Sequence, residues 1–218
     1  KKVGIYCVSI TDHDTIAGID NAILSAKDAD IEFIPGIEFS VNWKYPTHIL
    51  GYYFNHHNKN LRKRLDESLE NRTQRAKKII AKLAGYGLSV DYDELINTIK
   101  ITTPGRPHIA QYLINKGIVR KFDEAFDKYL TPNKPGYVEK DKLGLKETID
   151  LIKNAGGIAV LAHPLSMKND DAVEELLRTT DIEGIEVYYT THKPNDAAEY
   201  LRLAEKYKLL VTGGSDCH

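Results

Sequence analysis

The sequence predicts an α/β fold in which strands and helices alternate along a largely parallel sheet. Apolar runs rich in β-branched residues recur along the chain and are separated by segments whose apolar residues follow helical spacing. Strands that are separated by helices favour parallel pairing with right-handed crossovers, either in an open sheet or in a closed barrel. Ionisable side chains follow several of these runs, at the edge where α/β folds build their sites.

Six strands and four helices make up the alternating part of the prediction. The strands are predicted at residues 3–10, 31–34, 47–54, 158–162, 185–188 and 209–211. One helix follows the first strand, and the others are predicted over residues 146–154, 171–179 and 195–207. The first strand is apolar enough to be buried on both faces.

Between residues 55 and 138 the alternation stops and the pattern is helical. Apolar residues recur at helical spacing from Leu61 to Leu83, and no convincing strand interrupts the block. We therefore predict a sheet domain formed by residues 1–54 and 139–218. Residues 55–138 are predicted to form a helical insertion or cap domain over a functional site at the edge of the sheet. The helix predicted near residues 59–82 is rich in lysine and arginine, which is typical of a solvated face but also suits phosphate groups.

Composition excludes several classes of protein. Apolar residues make up 42% and charged residues 28% of the chain, as in ordinary globular domains, so neither a disordered nor a fibrous protein is indicated. The formal net charge of -1 provides no global field that would favour nucleic acid. Cys7 and Cys217 form no disulfide framework, which favours a cytoplasmic location. No run approaches a membrane helix in length and no signal peptide is recognisable, so no membrane partner is expected.

Ionisable side chains follow the carboxyl ends of four different predicted strands. They are Asp12 with His13, then Glu38, then His163, and finally Asp216 with His218. The carboxyl ends of parallel strands meet at one edge of a sheet, so these residues are expected to lie close together. His48 lies near the start of its strand instead, but its alternation with Leu50 and Tyr52 still allows it to face inward.

Imidazole and carboxylate groups without paired thiolates indicate a metal site. These donors suit zinc, manganese or iron in a cluster with open coordination positions. Several metals held a few ångström apart clamp the oxygens of a phosphoester and activate water, so the set is typical of a metal-dependent hydrolase. Each residue also has a structural interpretation, because a lone histidine is often a satisfied structural residue and Asp12 or Asp14 suits a helix cap. The closing stretch 213–218 is also compatible with an ordinary turn.

Five motifs, in this order, resemble those of the PHP (polymerase and histidinol phosphatase) family. They are Ile-Thr-Asp-His-Asp-Thr at 10–15, Pro-Gly-Ile-Glu at 35–38, His-Ile-Leu-Gly at 48–51, Ala-His-Pro at 162–164 and Gly-Ser-Asp-Cys-His at 214–218. The resemblance covers nearly the whole chain. It implies a distorted (β/α)7 barrel with two to three divalent metal ions, Mn, Zn or Fe, at the carboxyl ends of the strands.

The resemblance also implies a role for each candidate ligand. Glu38 would bridge two metals, and His48 and His163 would complete one of them. His13 and His218 would hold the third metal.

One family motif has no counterpart in the chain. In the family, a His-x-His on the first strand and a following Ser-Asp-Gly turn supply three further metal ligands. Among the residues that this chain does contain, the resemblance implies that Asp216 would serve the first metal. We therefore expect the chain to be an incomplete view of a longer protein, with the first barrel strand missing and the barrel incomplete at both ends. The alternative is a degenerate member of the family that lacks activity.

The insertion carries a further resemblance in the stretch Thr-Pro-Gly-Arg-Pro-His-Ile-Ala at 103–110. It places Arg106 and His108 at the start of a predicted helix, where free N–H groups and the helix dipole favour an anion. A proline in the first helical turn beside a surface arginine is an equally open interpretation. The stretch resembles the PHP phosphoesterase branch that includes nucleoside 3′,5′-bisphosphate phosphatases and 5′→3′ exoribonucleases, which implies that Arg106 and His108 hold a substrate phosphate.

The predicted function is that of a metal-dependent phosphoesterase. It would hydrolyse a phosphate ester of a nucleotide or short oligonucleotide terminus, of the 3′,5′-bisphosphate type, through a metal-activated water. His163, Arg106 and His192 are the candidate catalytic residues, and Ser215 joins Arg106 and His108 in the candidate substrate site. The expected partner is this phosphorylated substrate, and no obligate protein partner is evident. Two alternatives stay open: a histidinol-phosphatase-like enzyme acting on a small metabolite, and a catalytically inactive PHP module used for binding.

Overall fold

A computed structural model describes residues 4–101 and 103–217 of the chain. The chain divides into two compact units. The sheet unit comprises Lys1–Leu65 and Lys142–His218, and the helical unit comprises Asp66–Asp141. These limits differ from the predicted ones at residues 55 and 138, because the first division falls inside a long helix. The role of residues 55–138 as a cap domain stays a prediction.

Within the described residues, seven strands form one mixed sheet in the sheet unit. They are β1 (Cys7–Ile10), β2 (Glu32–Asn42), β3 (Thr47–Tyr52), β4 (Leu143–Gly144), β5 (Ile158–Leu161), β6 (Gly184–Tyr189) and β7 (Leu210–Gly214). Their order is β1-β2-β3-β5-β6-β7, and β4 pairs with β2 outside this path. The predicted α/β class is confirmed.

Eight α-helices occur in the described part of the chain. They are α1 (Ile19–Asp28), α2 (Lys59–Ala84), α3 (Tyr92–Ile99), α4 (Arg106–Asn115), α5 (Phe122–Ala125), α6 (Leu145–Asn154), α7 (Asp170–Thr179) and α8 (Pro194–Tyr207). A π-helical turn, Phe126–Leu130, continues α5, and a short 3-10 helix, Pro164–Met167, follows β5. The crossovers through α1, α7 and α8 join parallel strands, as predicted.

Strand β3 runs antiparallel to both of its neighbours, which corrects the prediction of a parallel sheet at this point. Only residues 43–46 connect β2 to β3, and so short a connection reverses the chain direction. The start of β3 therefore lies at the same edge as the carboxyl ends of the parallel strands. His48 pairs with Ser40 of β2, and the N–H of Ala162 donates to the His48 carbonyl at 3.2 Å. His48 reaches the predicted edge although it lies near the start of its strand.

The sheet unit buries one face of its strands in the main apolar core. Ile37, Phe39 and Ile49 are at most 1% exposed and belong to a cluster that includes side chains of α1, α6, α7 and α8. Side chains alternate along a strand, so Glu38 points to the opposite face. Glu38 pairs with Leu50 of β3, which therefore shares that face.

The outer strands β1 and β7 are more exposed than the sequence predicts. The expectation that the first strand is buried on both faces is wrong, because Val8 is 39% and Ile10 is 40% exposed. Leu210 of β7 is 53% exposed. Strand β1 is also shorter than predicted, and residues 1–3 lie outside the described residues.

Strand β2 is longer than predicted because it continues through Pro35 and Gly36, residues that usually interrupt a strand. Gly36 permits a close approach of β1: a Cβ there would lie 2.1 Å from Ser9 Oγ and 2.7 Å from the Ile10 carbonyl oxygen. The extension carries Glu38 into the sheet. Strand β4 was not predicted, since two residues are too few for a periodic pattern.

The helical unit has an apolar core of its own. Buried side chains of α2 to α5, among them Leu83, Leu95, Ile109 and Leu113, pack together in it. Between residues 55 and 138 the described residues contain no strand, as predicted. Helix α4 begins at Arg106, where the sequence places a helix start. Within residues 4–101 and 103–217, no helix combines the length and apolar character needed to span a membrane.

Candidate metal centre

Glu38 lies at the centre of the candidate site. It is 3% exposed and sits on the face of β2 opposite the main core. Its carboxylate oxygens face different histidines. Oε1 lies 2.6 Å from His48 Nδ1 and 3.1 Å from His163 Nε2, whereas Oε2 lies 3.8 Å from His13 Nδ1. We call Glu38, His13, His48 and His163 the ligand cluster. In this cluster, the buried carboxylate lies between two imidazoles on one oxygen and a third imidazole on the other.

Three donor atoms form a compact triangle on one side of Glu38. The third edge, between His48 Nδ1 and His163 Nε2, is 3.2 Å long. His48 comes from β3, and His163 lies two residues after the end of β5. The antiparallel direction of β3 is therefore the feature of the fold that brings these two imidazoles together.

His13 reaches Glu38 through the main chain. The Asp14 N–H donates to the Glu38 carbonyl at 2.8 Å, and the Glu38 N–H donates to the Asp12 carbonyl at 3.2 Å. This parallel bridge continues the pairing of β1 and β2 beyond the end of β1. The donor atoms of His13, Glu38 and His48 all lie within 4.8 Å of one another.

Neither Asp12 nor Asp14 is the N-cap residue of α1. Helix α1 has Gly18 as its N-cap, with no side-chain hydrogen bond at that position. Instead, the Ser40 N–H donates to Asp14 Oδ1 at 3.1 Å. Asp14 thus ties the loop that carries His13 to strand β2.

Burial and the neighbouring imidazoles have opposite effects on Glu38. Burial alone would raise its pKa, but hydrogen bonds with His163 and His48 and the nearby His13 lower the pKa of Glu38 to about 2. For His163, burial lowers the pKa, while the Glu38 carboxylate and then Glu186 raise it, and the net shift of the pKa is upward. The centre therefore favours an ionised carboxylate beside positive charge.

The donor set fits a divalent metal ion. Two ligands at about 2.1 Å from one tetrahedral ion are roughly 3.4 Å apart. The atoms around Glu38 Oε1 are separated by 2.6, 3.1 and 3.2 Å, so a small opening accommodates an ion between them. His13 offers a donor on the other carboxylate oxygen. Imidazole nitrogens and carboxylate oxygens are donors that zinc, manganese and iron all accept.

Three members of the ligand cluster, His13, Glu38 and His163, line a cavity of about 820 Å³. The ionisable side chains in its lining include Asp12, His13, Glu38, His163, Glu186 and Asp216. Apolar side chains of β1, β3, β5 and β7 supply much of the remaining surface. Small-molecule sites typically occupy about 300–1,000 Å³, so the cavity has the size of a substrate pocket.

Curated proteins are similar to this chain over nearly its whole length, and two of them are 32% identical to it, whereas no family profile matches. One is the 3′,5′-nucleoside bisphosphate phosphatase of Chromobacterium violaceum, 32% identical over 220 residues that cover 97% of this chain and 76% of that protein. The other is the 5′-3′ exoribonuclease of Haemophilus influenzae, 32% identical over 222 residues, covering 99% and 80%. The chain belongs to the PHP family of metal-dependent phosphoesterases. The family predicted from the five motifs is confirmed.

Two solved structures have folds similar to that of this chain. An amidohydrolase from Chromobacterium violaceum, with bound sulfate and no metal, matches with a TM-score of 0.82 at 31% identity, over 98% of this chain and 77% of that one. A Bifidobacterium adolescentis protein assigned as a metal-dependent phosphoesterase matches with a TM-score of 0.80 at 27% identity, over 99% and 78%. The mixed sheet and its flanking helices are consistent with a PHP-type fold.

Asp216 and Ser215 line the cavity from the loop after β7, and both are exposed. The Tyr189 hydroxyl donates to Asp216 Oδ2 at 2.6 Å. This hydrogen bond, with burial as the next cause, raises the pKa of Tyr189 to about 12. His218, the remaining ligand suggested by the PHP motifs, lies outside the described residues.

His192 is linked to the ligand cluster through Tyr189. The Tyr189 ring lies 5.1 Å from the His192 ring and 5.4 Å from the His163 ring, between centroids. His192 Nδ1 donates to the Val187 carbonyl at 2.8 Å, which leaves Nε2 unprotonated in the neutral ring. Among the described residues this buried Nε2 has no hydrogen-bond partner. A catalytic role for His192 stays a prediction.

Arg106 and His108 lie in the helical unit, in the first turn of α4. Arg106 Nη1 donates to the Leu130 carbonyl at 3.2 Å, and the Gly105 N–H donates to His108 Nδ1 at 2.9 Å. Burial and then the charge of Arg72 lower the pKa of His108. Positive groups thus gather at this helix start, which suits an anion, and the substrate role of Arg106 and His108 stays a prediction.

Two residues near the ligands, Glu186 and Tyr189, were not predicted as part of the site. Glu186 is 4% exposed, and its Oε2 accepts a hydrogen bond from the His163 N–H at 2.8 Å. A signal for it existed in the sequence, because Glu186 stands between Ile185 and Val187 in a strand apolar enough to be buried on both faces. Tyr189 carries no comparable signal, since an aromatic residue at a strand end is commonly part of a core or rim.

A second group of ligand-type side chains, the surface cluster, consists of Asp20, His56 and His57. His56 Nε2 lies 3.0 Å from Asp20 Oδ1, and the Asp20 side chain is 67% exposed. Arg62 donates through Nη2 to His57 Nδ1 at 2.8 Å and through Nε to the His56 carbonyl at 2.7 Å. The Arg62 guanidinium already supplies positive charge to the surface cluster and occupies Nδ1 of His57. The surface cluster is therefore a hydrogen-bond network.

Proposed function

We propose that this chain is a metal-dependent phosphoesterase that hydrolyses a phosphate ester at a nucleotide or short oligonucleotide terminus. The observation that carries the proposal is that the two carboxylate oxygens of Glu38 face different histidines. Oε1 faces His48 and His163, whereas Oε2 faces His13. One carboxylate with donors on both oxygens suits two neighbouring metal ions. The activities of the two relatives, a nucleoside bisphosphate phosphatase and an exoribonuclease, support the substrate class.

The proposed cofactors are two to three divalent ions, of manganese, zinc or iron. The residues that would hold them are His13, Glu38, His48, His163, Asp216 and His218. Ions at such a centre supply Lewis-acid polarisation of phosphoryl oxygens and activation of water.

The chain's own groups in the ligand cluster are charged and oriented for this role. With a pKa of about 2, Glu38 keeps its negative charge at neutral pH and remains an anionic donor. Ser166 Oγ lies 3.1 Å from His163 Nδ1 and so fixes the ring whose Nε2 faces Glu38. The Tyr189 hydroxyl orients Asp216 in the same way.

The proposed substrate-binding residues are Arg106, His108 and Ser215. The guanidinium of Arg106 offers two parallel donors to a phosphate and stabilises charge that develops on it. In its neutral form His108 carries its proton on Nε2, because Nδ1 accepts from the Gly105 N–H. The proposal includes residues 55–138 as a helical insertion or cap domain, a distorted (β/α)7 barrel as the full fold, and a cytoplasmic location.

A substrate panel tests this proposal. The protein is incubated with adenosine 3′,5′-bisphosphate, a 5′-phosphorylated oligoribonucleotide and histidinol phosphate, and released phosphate or nucleotide is measured. Each assay is run with Mn²⁺, after removal of metal by a chelator, and after Mn²⁺ is restored. We expect faster hydrolysis of the nucleotide substrates than of histidinol phosphate, with activity lost on chelation and recovered with Mn²⁺.

The panel also separates the alternatives. Equal or reversed rates on histidinol phosphate would favour the small-metabolite phosphatase. Bound metal by elemental analysis without hydrolysis of any substrate would favour the inactive binding module. Hydrolysis that survives removal of all metal would show that the metal-dependent mechanism is wrong.

A further inference from the structure

Glu186 is a buried carboxylate for which the proposed chemistry has no role. It lies in β6, where its neighbours Ile185 and Val187 belong to the main apolar core. Glu186 therefore points to the other face, where it lines the cavity. A buried carboxylate is costly unless it is hydrogen-bonded, so its partner indicates what it does.

That partner is the main chain of His163. The His163 N–H donates to Glu186 Oε2 at 2.8 Å. The backbone of His163 has φ 21° and ψ 64°, a conformation that residues other than glycine rarely adopt. Such a backbone persists only where its surroundings hold it in place. The Glu186 carboxylate is an acceptor fixed at that point.

The backbone at position 163 determines where the imidazole points. The chain turns directly into the 3-10 helix Pro164–Met167, and the Ser166 N–H donates to the His163 carbonyl at 3.0 Å. Ser166 Oγ lies 3.1 Å from His163 Nδ1. With the N–H held by Glu186 and Nδ1 held by Ser166, Nε2 is directed at Glu38 Oε1, 3.1 Å away.

Strand β7 leaves room for the Glu186 side chain. A Cβ on Gly214 would lie 2.7 Å from Glu186 Oε1, so a larger residue there would displace the carboxylate. The register between β6 and β7 also shifts between Glu186 and Tyr188. Irregularities of this kind re-aim side chains at the edge of a site. The neighbouring strand thus accommodates this carboxylate through both a glycine and a register shift.

We propose that Glu186 is a positioning residue of the metal centre, whose carboxylate holds the strained backbone of His163 so that the imidazole stays directed at Glu38. The inference rests on the proposed function in taking His163 as a metal ligand. It requires an acceptor oxygen at position 186, and it does not require a negative charge there.

Three variants separate positioning from a general contribution to stability. Glu186→Gln keeps an acceptor oxygen and removes the charge, whereas Glu186→Leu removes both. Thr148→Val is the matched control, because it deletes a different buried hydrogen bond, from Thr148 Oγ1 to the Gly144 carbonyl at 3.0 Å. Two quantities are measured: the His163 amide resonance in the metal-free protein by ¹H–¹⁵N NMR, and the Kd for Mn²⁺ by titration.

We expect Glu186→Gln to keep the His163 amide resonance and the Mn²⁺ Kd near their values in the parent protein. Glu186→Leu should move the amide resonance and weaken Mn²⁺ binding by about tenfold or more, as loss of a residue that orients a metal ligand typically does. Thr148→Val should lower the thermal midpoint and leave both measured quantities unchanged.

Mn²⁺ binding as tight as in the parent by a folded Glu186→Leu protein would overturn the proposal. A loss of Mn²⁺ affinity in Glu186→Gln as large as that in Glu186→Leu would also overturn the proposal. If the leucine variant does not fold, the result for Glu186→Gln alone decides. A parent protein that binds no Mn²⁺ would contradict the proposed function instead, while the His163 amide resonance would still test the contact with Glu186.

Discussion

Two groups of histidine and carboxylate side chains in the sheet unit differ in burial and in the source of positive charge. In the ligand cluster, Glu38 and His163 are buried, and the donor atoms of three histidines surround a single carboxylate. In the surface cluster, Asp20 is exposed and the guanidinium of Arg62 lies against His57. Residue types alone therefore do not identify a metal site.

The difference has a physical cause. A buried carboxylate cannot be stabilised by bulk water and depends on the charges and hydrogen bonds around it. Glu38 is placed where imidazoles are its main partners, so a metal ion can take over their role. Asp20 is solvated and the imidazole of His57 already has a cationic partner in Arg62, so an ion gains little there.

The largest expected effect is on catalysis by the ligand cluster. Glu38→Gln removes the shared negative charge and should lower kcat/KM on a 3′,5′-bisphosphate nucleotide by about a thousandfold, because the centre loses the group common to both donor sets. Asp20→Asn, the same chemical change in the surface cluster, is the matched control and should keep the parent's rate. Equal effects of the two substitutions on steady-state kinetics would break the distinction between the clusters.

Metal binding should stabilise the fold through the ligand cluster alone. A ligand at a hundredfold excess over its Kd stabilises the folded state by about 2.7 kcal/mol. For a chain of this size that corresponds to a rise of roughly 5–10 °C in Tm. Calorimetry with and without Mn²⁺ should show this rise in the parent and in Asp20→Asn, and none in Glu38→Gln. A rise that disappears in Asp20→Asn would place the ion at the surface cluster.

A smaller effect is expected from Tyr189. Tyr189→Phe deletes the hydroxyl that donates to Asp216, so the carboxylate loses its fixed orientation. Mn²⁺ affinity should fall by about tenfold, measured by titration of the metal-free protein. Tyr188→Phe, at an exposed neighbouring position, is the control and should leave the affinity unchanged. An unchanged affinity in Tyr189→Phe would show that Asp216 needs no support from this residue.

The smallest effect is expected from the surface cluster itself. Asp20→Asn weakens one exposed contact with His56, and exposed ion pairs contribute less than about 1 kcal/mol. Urea unfolding followed by circular dichroism should therefore give a free energy of unfolding close to that of the parent. A loss of several kcal/mol would mean that this network holds the fold together, contrary to its exposure.

Much of the ligand cluster could be predicted from the sequence. The alternation of apolar runs and helical segments predicts His13, Glu38 and His163 at strand ends, and the structure brings their side chains together, although Glu38 lies within β2 and not at its end. The helical character of the insertion and the start of α4 at Arg106 could likewise be predicted from local sequence patterns. These features depend on residues close to one another in the chain.

Other features could not be predicted because they depend on contacts between distant segments. The apolar run around Glu186 indicates a buried carboxylate, but its contact with the His163 N–H depends on the pairing of β6 with β5, which the sequence does not reveal. The exposure of β1 is similar, since an apolar run predicts a strand without determining what covers it. The limits of the two units also depend on packing along a continuous helix.

The sequence by itself determined the chemistry of this protein: the alternating strands and helices, the imidazole and carboxylate donors, and the motifs of the PHP family. Only the tertiary structure decided how the donors meet. Strand β3 lies antiparallel between β2 and β5, which turns the start of that strand, and His48 with it, towards Glu38 and His163. Strand direction is set by long-range hydrogen bonds and by the length of the connection, whereas periodicity within a strand is the same in either direction.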